Sequence, residues 1–302
     1  MTADAAFATT AAVPESRTPW RFFPVSKKKH RDRPSPESLG LAPVGIDTHA
    51  HLDMRGFEPG EIPDILARAR AAGVARIGNV FLGPAAYAAN APLFAAAPEV
   101  FFILGMHPTE CAGYAESLTA AMQAAFRDDA RLRAVGEIGL DFYWDDAPPE
   151  DQKRAFREQL EMARGLDAPV VIHSRAAEAE TLAILADMGF ADRPLVWHCF
   201  GGDEELARRI LDMGFFISVP GPVTYAKNQA LAAAVAAIPL SRLFLETDAP
   251  FLTAEPWRGR RNEPCYLGFT AVRVAEIKGL SPDAVWRATA ENAVSFFGLE
   301  VP

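Results

Sequence analysis

Eight apolar runs of strand length alternate with helical patterns from about residue 44 onward. This alternation restricts the fold of the 302-residue chain more than any other feature. The runs cover residues 44–49, 76–81, 100–105, 133–138, 169–173, 194–199, 215–219 and 242–247. Helical patterns lie between them at 61–72, 84–96, 150–166, 176–188, 203–213 and 229–237, several closed by a glycine such as Gly73, Gly189 or Gly214. Glycine suits the left-handed cap of a helix end. Strand–helix units repeated in this way predict a parallel sheet, and the length suits its closure into a (β/α)8 TIM barrel. An open doubly wound sheet is the alternative, but it gathers its ligands at one switch point between two strands. After the eighth run come a Pro- and Arg-containing loop at 249–261 and helical patterns at 266–278, 282–290 and 291–297.

Half the residues are hydrophobic, enough for one large hydrolase domain spanning residues 42–302. Residues 1–41 differ: they are rich in Ala, Thr, Pro and Ser and carry a basic cluster at Lys27, Lys28, Lys29, Arg31 and Arg33. They read as a disordered leader whose charges are solvated. The formal net charge of −9 excludes a general polyanion-binding surface, so any nucleic-acid contact must be local. The three cysteines, Cys111, Cys199 and Cys265, form no CxxC pair, which points to a reducing compartment. No stretch approaches the roughly 18 apolar residues of a spanning helix. The expectation is a cytoplasmic protein without membrane contact, monomeric or weakly oligomeric.

Metal-ligating residue types stand at the ends of five of these runs. Asp47, His49 and His51 occupy positions i, i+2 and i+4 of the first, on one face of a strand. Glu137 ends the fourth, His173 the fifth, His198 the sixth and Asp248 the eighth. Four imidazoles and two carboxylates exceed the needs of one catalytic ion, and each oxygen of Glu137 could bind one cation. Two divalent ions sharing Glu137 is the economical reading, with Zn²⁺, Mn²⁺, Co²⁺ or Ni²⁺ suited to the mixed donors and Mg²⁺ possible if carboxylates dominate. Arg175 shares the parity of His173 and could meet an anionic substrate. Cys199 has the opposite parity to His198 and is expected to face the helices. Glu246 and Asp47 read as groups that orient ligands. His107, after the third run, reads as a substrate contact.

In order along the chain stand "GIDTHAHLD" at Gly45, "GMHP" at Gly105, "VGEIGLDFYW" at Val135, "VVIHSR" at Val170, "WHCFGG" at Trp197, "ETDAPFLTAEPWRGRRNEP" at Glu246 and "ENAVSFFGL" at Glu291. With these motifs the chain resembles the TatD family of metal-dependent deoxyribonucleases, within the amidohydrolase superfamily. The resemblance implies that His49, His51 and Asp248 hold one ion, His173 and His198 the other, with Glu137 as the bridge. It also makes Arg258 and Asn262 substrate or structural contacts. Many members carry a second histidine two places after the one in the HP loop, where this chain has Thr109.

The activity so implied is phosphodiester hydrolysis of DNA, as a 3′-to-5′ exonuclease acting on single strands or strand ends. A hydroxide generated between the two ions would attack phosphorus, Arg175 or Arg258 would neutralise charge, and Asp248 would move the proton. Glu137 and Asp248 are then the catalytic carboxylates. The same hydroxide could attack a carbonyl carbon, so a deacylase acting on D-aminoacyl-tRNA is the rival reading. A metal-containing nucleic-acid-binding module without turnover is a third.

Overall fold

The computed structural model describes residues 33–301, so most of the expected leader, including Lys27, Lys28, Lys29 and Arg31, lies outside the described residues. Eight parallel strands form one sheet in sequence order: β1 (Gly45–Ala50), β2 (Val74–Leu82), β3 (Val100–Gly105), β4 (Leu132–Asp141), β5 (Val170–Arg175), β6 (Leu195–Trp197), β7 (Phe216–Val219) and β8 (Leu243–Leu245). Helices follow the strands: α1 (Ile62–Ala71), α2 (Pro84–Asn90), α3 (Glu116–Asp128), α4 (Pro149–Leu166), α5 (Glu178–Asp187), α6 (Glu204–Asp212), α7 (Gln229–Ala237), α8 (Leu267–Lys278) and α9 (Pro282–Phe297). The barrel closes through a parallel bridge between Ala50 and Ala249. Two backbone bonds support it, from Asp248 N–H to His49 O at 2.9 Å and from His51 N–H to Ala249 O at 2.7 Å. This is the TIM-barrel architecture that the alternation predicts.

The interior is apolar at one end and polar at the other. Ile46, Val80, Phe101, Ile103, Ala134, Val171, Val196 and Phe244 fill the lower barrel, and α9 seals it with Ala290, Ala293, Phe296 and Phe297. Trp286 of the same helix is 1% exposed and donates its indole N–H to Ala42 O at 2.8 Å. A Cβ at Gly45 would lie 1.8 Å from that ring, so only glycine lets β1 start there.

Most element ends shift from the sequence expectation, among them α2, which stops at Asn90 and continues as a 3-10 turn at Ala91–Phe94, and three further differences stand out. Residues 33–41 are ordered on the barrel: Pro36–Leu39 form a 3-10 turn, the Trp257 indole donates to Pro34 O at 3.1 Å, and Leu39 and Leu41 lie over Gly268. The patterns at 282–290 and 291–297 are one helix, because the Asn292 amide, which reads as a breaker, is tied to Leu240 O and Leu243 O. Helix α3 has no counterpart in the expected set. Met122 is its one buried residue, so it carries almost no apolar stripe to read. Among the described residues no helix is long and apolar enough to cross a membrane.

Replacing Trp286 with Ala should cost about 3–5 kcal/mol of stability, the usual range for losing a buried aromatic ring. Denaturant unfolding would measure this, and a midpoint equal to that of the parent would refute the role given to α9 as the barrel's seal.

Candidate metal centre

The polar end of the barrel is assembled where the strands stop being regular. On β1, Ile46 lies among the interior apolar residues, and Thr48 bonds to Ser218 and to Leu245 O. The pairing register with β2 then shifts between Asp47 and Ala50, and His49 and His51 meet the cluster together. Register also shifts on β4 between Val135 and Ile138, the stretch that delivers Glu137. Strands β6 and β8 end before their donors, so His198 and Asp248 stand on the loops immediately beyond. Asp248 itself is left-handed, with φ 55°, a conformation that Asp tolerates better than most residues.

The donors converge. His49 Nε2 and His51 Nε2 are 3.2 Å apart, and Asp248 Oδ1 lies 3.9 and 3.5 Å from them. Glu137 Oε1 faces His51 Nε2 at 3.6 Å, whereas Oε2 faces His198 Nε2 at 2.7 Å, His173 Nδ1 at 3.4 Å and His49 Nε2 at 3.8 Å. Two atoms bound at about 2.1 Å to one tetrahedral ion are about 3.4 Å apart, and most of these separations fall near that figure. His49, His51 and Asp248 form one donor triad and Glu137, His173 and His198 another. Glu137 Oε2 and His198 Nδ1 are buried without a well-aligned hydrogen bond, although His198 Nε2 is so close to that oxygen. Buried polar atoms left in this way are costly, and a cation held by Glu137 Oε2 and the imidazole nitrogens that face it would satisfy that oxygen. The residues therefore fit divalent metal.

Three of the four donor imidazoles are aimed by a second contact at the other nitrogen, and His49 Nδ1 is buried without one. His51 Nδ1 meets Val80 O at 3.2 Å, His173 Nε2 meets Asp141 Oδ2 at 3.0 Å, and His198 Nδ1 lies 3.3 Å from Glu246 Oε1. Glu246 also accepts Cys199 N–H at 2.7 Å, so one carboxylate fixes both the ring and the turn that carries it. Asp47 takes the same part for the backbone: it accepts from Thr247 N–H at 2.9 Å and from the Thr247 hydroxyl at 2.5 Å. Burial, opposed by those Thr247 bonds, pushes the Asp47 carboxyl up to about 7. Burial and the neighbouring His198 hold His49 well below its ordinary value. Burial also acts to lower His198, but Glu246 and Glu137 outweigh it and leave the ring well above. Burial pushes Glu137 up, yet the surrounding imidazoles, His198 first, bring it well below the ordinary carboxylate range.

A sequence model of the family described as "TatD related DNase" matches residues 46–298. The chain belongs to the TatD family of metal-dependent hydrolases. The Bacillus subtilis protein YabD, named an uncharacterized metal-dependent hydrolase, is 34% identical over 252 residues, covering 83% of this chain and 98% of that protein. Mycobacterium tuberculosis TatD, with the same designation, is 34% identical over 265 residues, covering 84% and 98%. The crystal structure of YjjV, a TatD homolog from Escherichia coli, matches with a TM-score of 0.79 at 30% identity, over 85% of this chain and 99% of that one.

Of the remaining candidates, His107 is buried within the cluster, with Nε2 3.9 Å from Glu137 Oε1 and its ring centroid 4.4 Å from that of His173. Thr109 engages His107 Nδ1 through its hydroxyl at 2.7 Å and its N–H at 3.2 Å. Burial, with His173 beside it, lowers His107 to about 3. Arg175 and Arg258 stay on the rim, each stacked on an aromatic ring at 4.0 Å, Tyr143 and Tyr225 respectively. Asn262, expected as a substrate or structural contact, has structural bonds. Its buried amide donates to Thr247 O at 2.8 Å and Phe251 O at 2.6 Å and accepts from Glu263 N–H at 3.0 Å, which pins the loop after β8. Cys199 is a correction, since its left-handed backbone (φ 49°) breaks the strand alternation and turns Sγ to within 3.9 Å of Asp248 Oδ2. Asp141 escaped the sequence reading although it shares the i, i+4 parity of Glu137.

Glu246→Gln should lower divalent-metal affinity about 10–100-fold, the usual effect of losing a group that orients a ligand. Calorimetric titration would test it, and an unchanged affinity would remove Glu246 from the site. Because Glu246 and Glu137 favour the protonated form of His198 while a ligand must be neutral, metal uptake should release protons and weaken as pH falls. Titrations in buffers of different ionisation enthalpy would show the release, and its absence would contradict the electrostatics above.

Proposed function

We propose that this TatD-family hydrolase is a two-metal-ion deoxyribonuclease that removes nucleotides from single-stranded DNA ends in the 3′-to-5′ direction. His49, His51 and Asp248 would hold one ion, His173 and His198 the other, and Glu137 both. Ions so held supply Lewis acidity, making water acidic enough to attack at neutral pH and neutralising phosphate charge. The observation that carries this reading is the pairing of a donor set shared through Glu137 with two rim guanidiniums, Arg175 and Arg258, for which no carboxylate lies within ion-pair distance among the described residues. A guanidinium held over a ring and left without a carboxylate is free to meet a phosphate.

Asp248 is the carboxylate best placed to move a proton. Its side chain is 14% exposed, against 5% for that of Glu137. Oδ1 faces the two β1 imidazoles, while Oδ2 is turned toward Cys199 at the opening, so one oxygen can ligate while the other accepts the proton of the attacking water and passes it to the leaving oxygen. The net charge of −9 disfavours any grip along a duplex. A strand end needs only a few phosphate contacts, and two guanidiniums can provide them.

Single-stranded DNA carrying a 5′ label should shorten from its 3′ end when metal is restored to the chelated protein. Deacylation of D-aminoacyl-tRNA under the same conditions, with the DNA left intact, would replace this reading by the esterase one. Asp248→Asn should lower kcat about 10²–10⁴-fold, the usual weight of general base catalysis, and near-parental turnover would take Asp248 out of the proton path. Arg175→Ala should act mainly on KM for DNA, and an unchanged KM would exclude the phosphate contact.

A further inference from the structure

Among the described residues Tyr143 is the one aromatic side chain that stands out as exposed, at 59%, and it lies in the loop that leaves β4 beside the metal centre. We infer that its ring is a stacking platform for the nucleobase next to the scissile phosphate. This inference rests on the deoxyribonuclease reading above and adds to it the residue that would select single-stranded ends.

An exposed tyrosine on a free loop would have no special claim, but this one is held from three sides. The N–H groups of Tyr143 and Trp144 both donate to Asp141 Oδ1, at 3.0 and 3.1 Å. The other oxygen of the same carboxylate meets His173 Nε2 at 3.0 Å. One side chain therefore fixes both the platform's backbone and a metal-centre imidazole. Two residues of chain span at most about 7 Å, so the ring is anchored within a nucleotide's reach of that imidazole. Arg175 stands opposite Asp141 in the β4–β5 ladder, and its guanidinium lies 4.0 Å from the Tyr143 ring centroid and 5.6 Å from that of Trp144. Trp144 braces the tyrosine edge-on, with centroids 4.8 Å apart at 90°.

The result is a rigid π surface left open to solvent, backed by a cation without a carboxylate partner and set beside the hydrolytic centre. Burying such a surface on folding would have been easy for a ring of this size. Keeping it exposed and braced makes sense if another flat ring covers it during turnover. A nucleobase fits, because every base has a π face, and stacking is sequence-tolerant for that reason. Arg175 is then placed to hold the phosphate attached to that base. A terminal base already stacked in a duplex is not available to Tyr143, so the platform would favour unpaired ends without any reading of sequence.

The test is binding, independent of turnover. A phosphorothioate-linked tetrathymidylate, which resists hydrolysis, and the same oligomer with an abasic 3′-terminal residue would be titrated by fluorescence anisotropy into the metal-loaded full chain and its variants. Tyr143→Ala should weaken binding of the intact oligomer roughly tenfold and leave the abasic one unchanged, while Tyr143→Phe, which keeps the π face, should restore the parental affinity. Equal affinity of Tyr143→Ala and the parent for the intact oligomer would overturn the platform while leaving the deoxyribonuclease reading in place. So would an equal loss for both oligomers, which would mark Tyr143 as merely structural. Failure of the parent to bind either oligomer would instead remove the DNA reading, and the platform with it.

Discussion

A carboxylate buried among five imidazoles governs the arrangement of the whole barrel mouth. Glu137 is 4% exposed, and His49, His51, His107, His173 and His198 all approach it within 3.9 Å. Taking such a group out of water costs several kcal/mol unless charge and hydrogen bonds are returned to it. Protein atoms alone do this poorly, because clustered imidazoles cannot all be protonated: His49 is driven down by burial and by His198 while His198 is driven up by Glu246 and Glu137. The cluster stores an unsatisfied electrostatic demand that divalent cations meet better than protons. Its positions are set by what lies beneath, since a tightly packed apolar floor sealed by α9 leaves the donors little room to relax.

The backbone that closes the barrel is also the backbone that carries the donors. Asp248 N–H bonds to His49 O and His51 N–H to Ala249 O, so the first and last strands are joined at the level of the β1 donors. Asp47 and Glu246 extend this economy. The first ties β1 to Thr247 across the seam, and the second ties the Cys199 turn to β8 while lying against His198. Loosening the seam would therefore disperse the site as well as weaken the fold, and a preorganised hydrolytic centre needs both to be firm.

Much of this was legible in the sequence, for reasons that can be named. Strand β3 and helix α7 coincide with their expected bounds, because a run buried on both faces and an alanine-rich stretch between turn residues leave little ambiguity. The TatD resemblance pointed to the donors residue by residue, and all six named ones meet in space. Strict alternation failed at register shifts within β1 and β4 and where strands end. Cys199 was assigned outward on parity, but a left-handed residue after Trp197 resets the direction of the chain. For Asn262 the sequence leaves a substrate and a structural role open, because a polar residue in a loop has no visible partner in one dimension, and two of its bonds reach backbone 11 and 15 residues away. Asp141 sits in plain view at the end of β4. Its meaning depends on His173, 32 residues away.

The sign of the molecule's charge looks at first like an argument against a polyanionic substrate. Yet Asp53, Glu137, Asp141, Glu246 and Asp248 are buried or half-buried at the barrel mouth, so part of the formal −9 belongs to the site and not to the outward surface. Two divalent ions would offset four of those charges at the point where, on the deoxyribonuclease proposal, phosphate would approach. Arg175 and Arg258 then act against a locally compensated background, not a strongly negative one. Beyond the mouth the acidic exterior persists, and it would repel the rest of a long duplex within a Debye length of about 8 Å at physiological salt. Attraction confined to the mouth and repulsion around it favour a substrate that presents an end, which is the geometry an exonuclease requires.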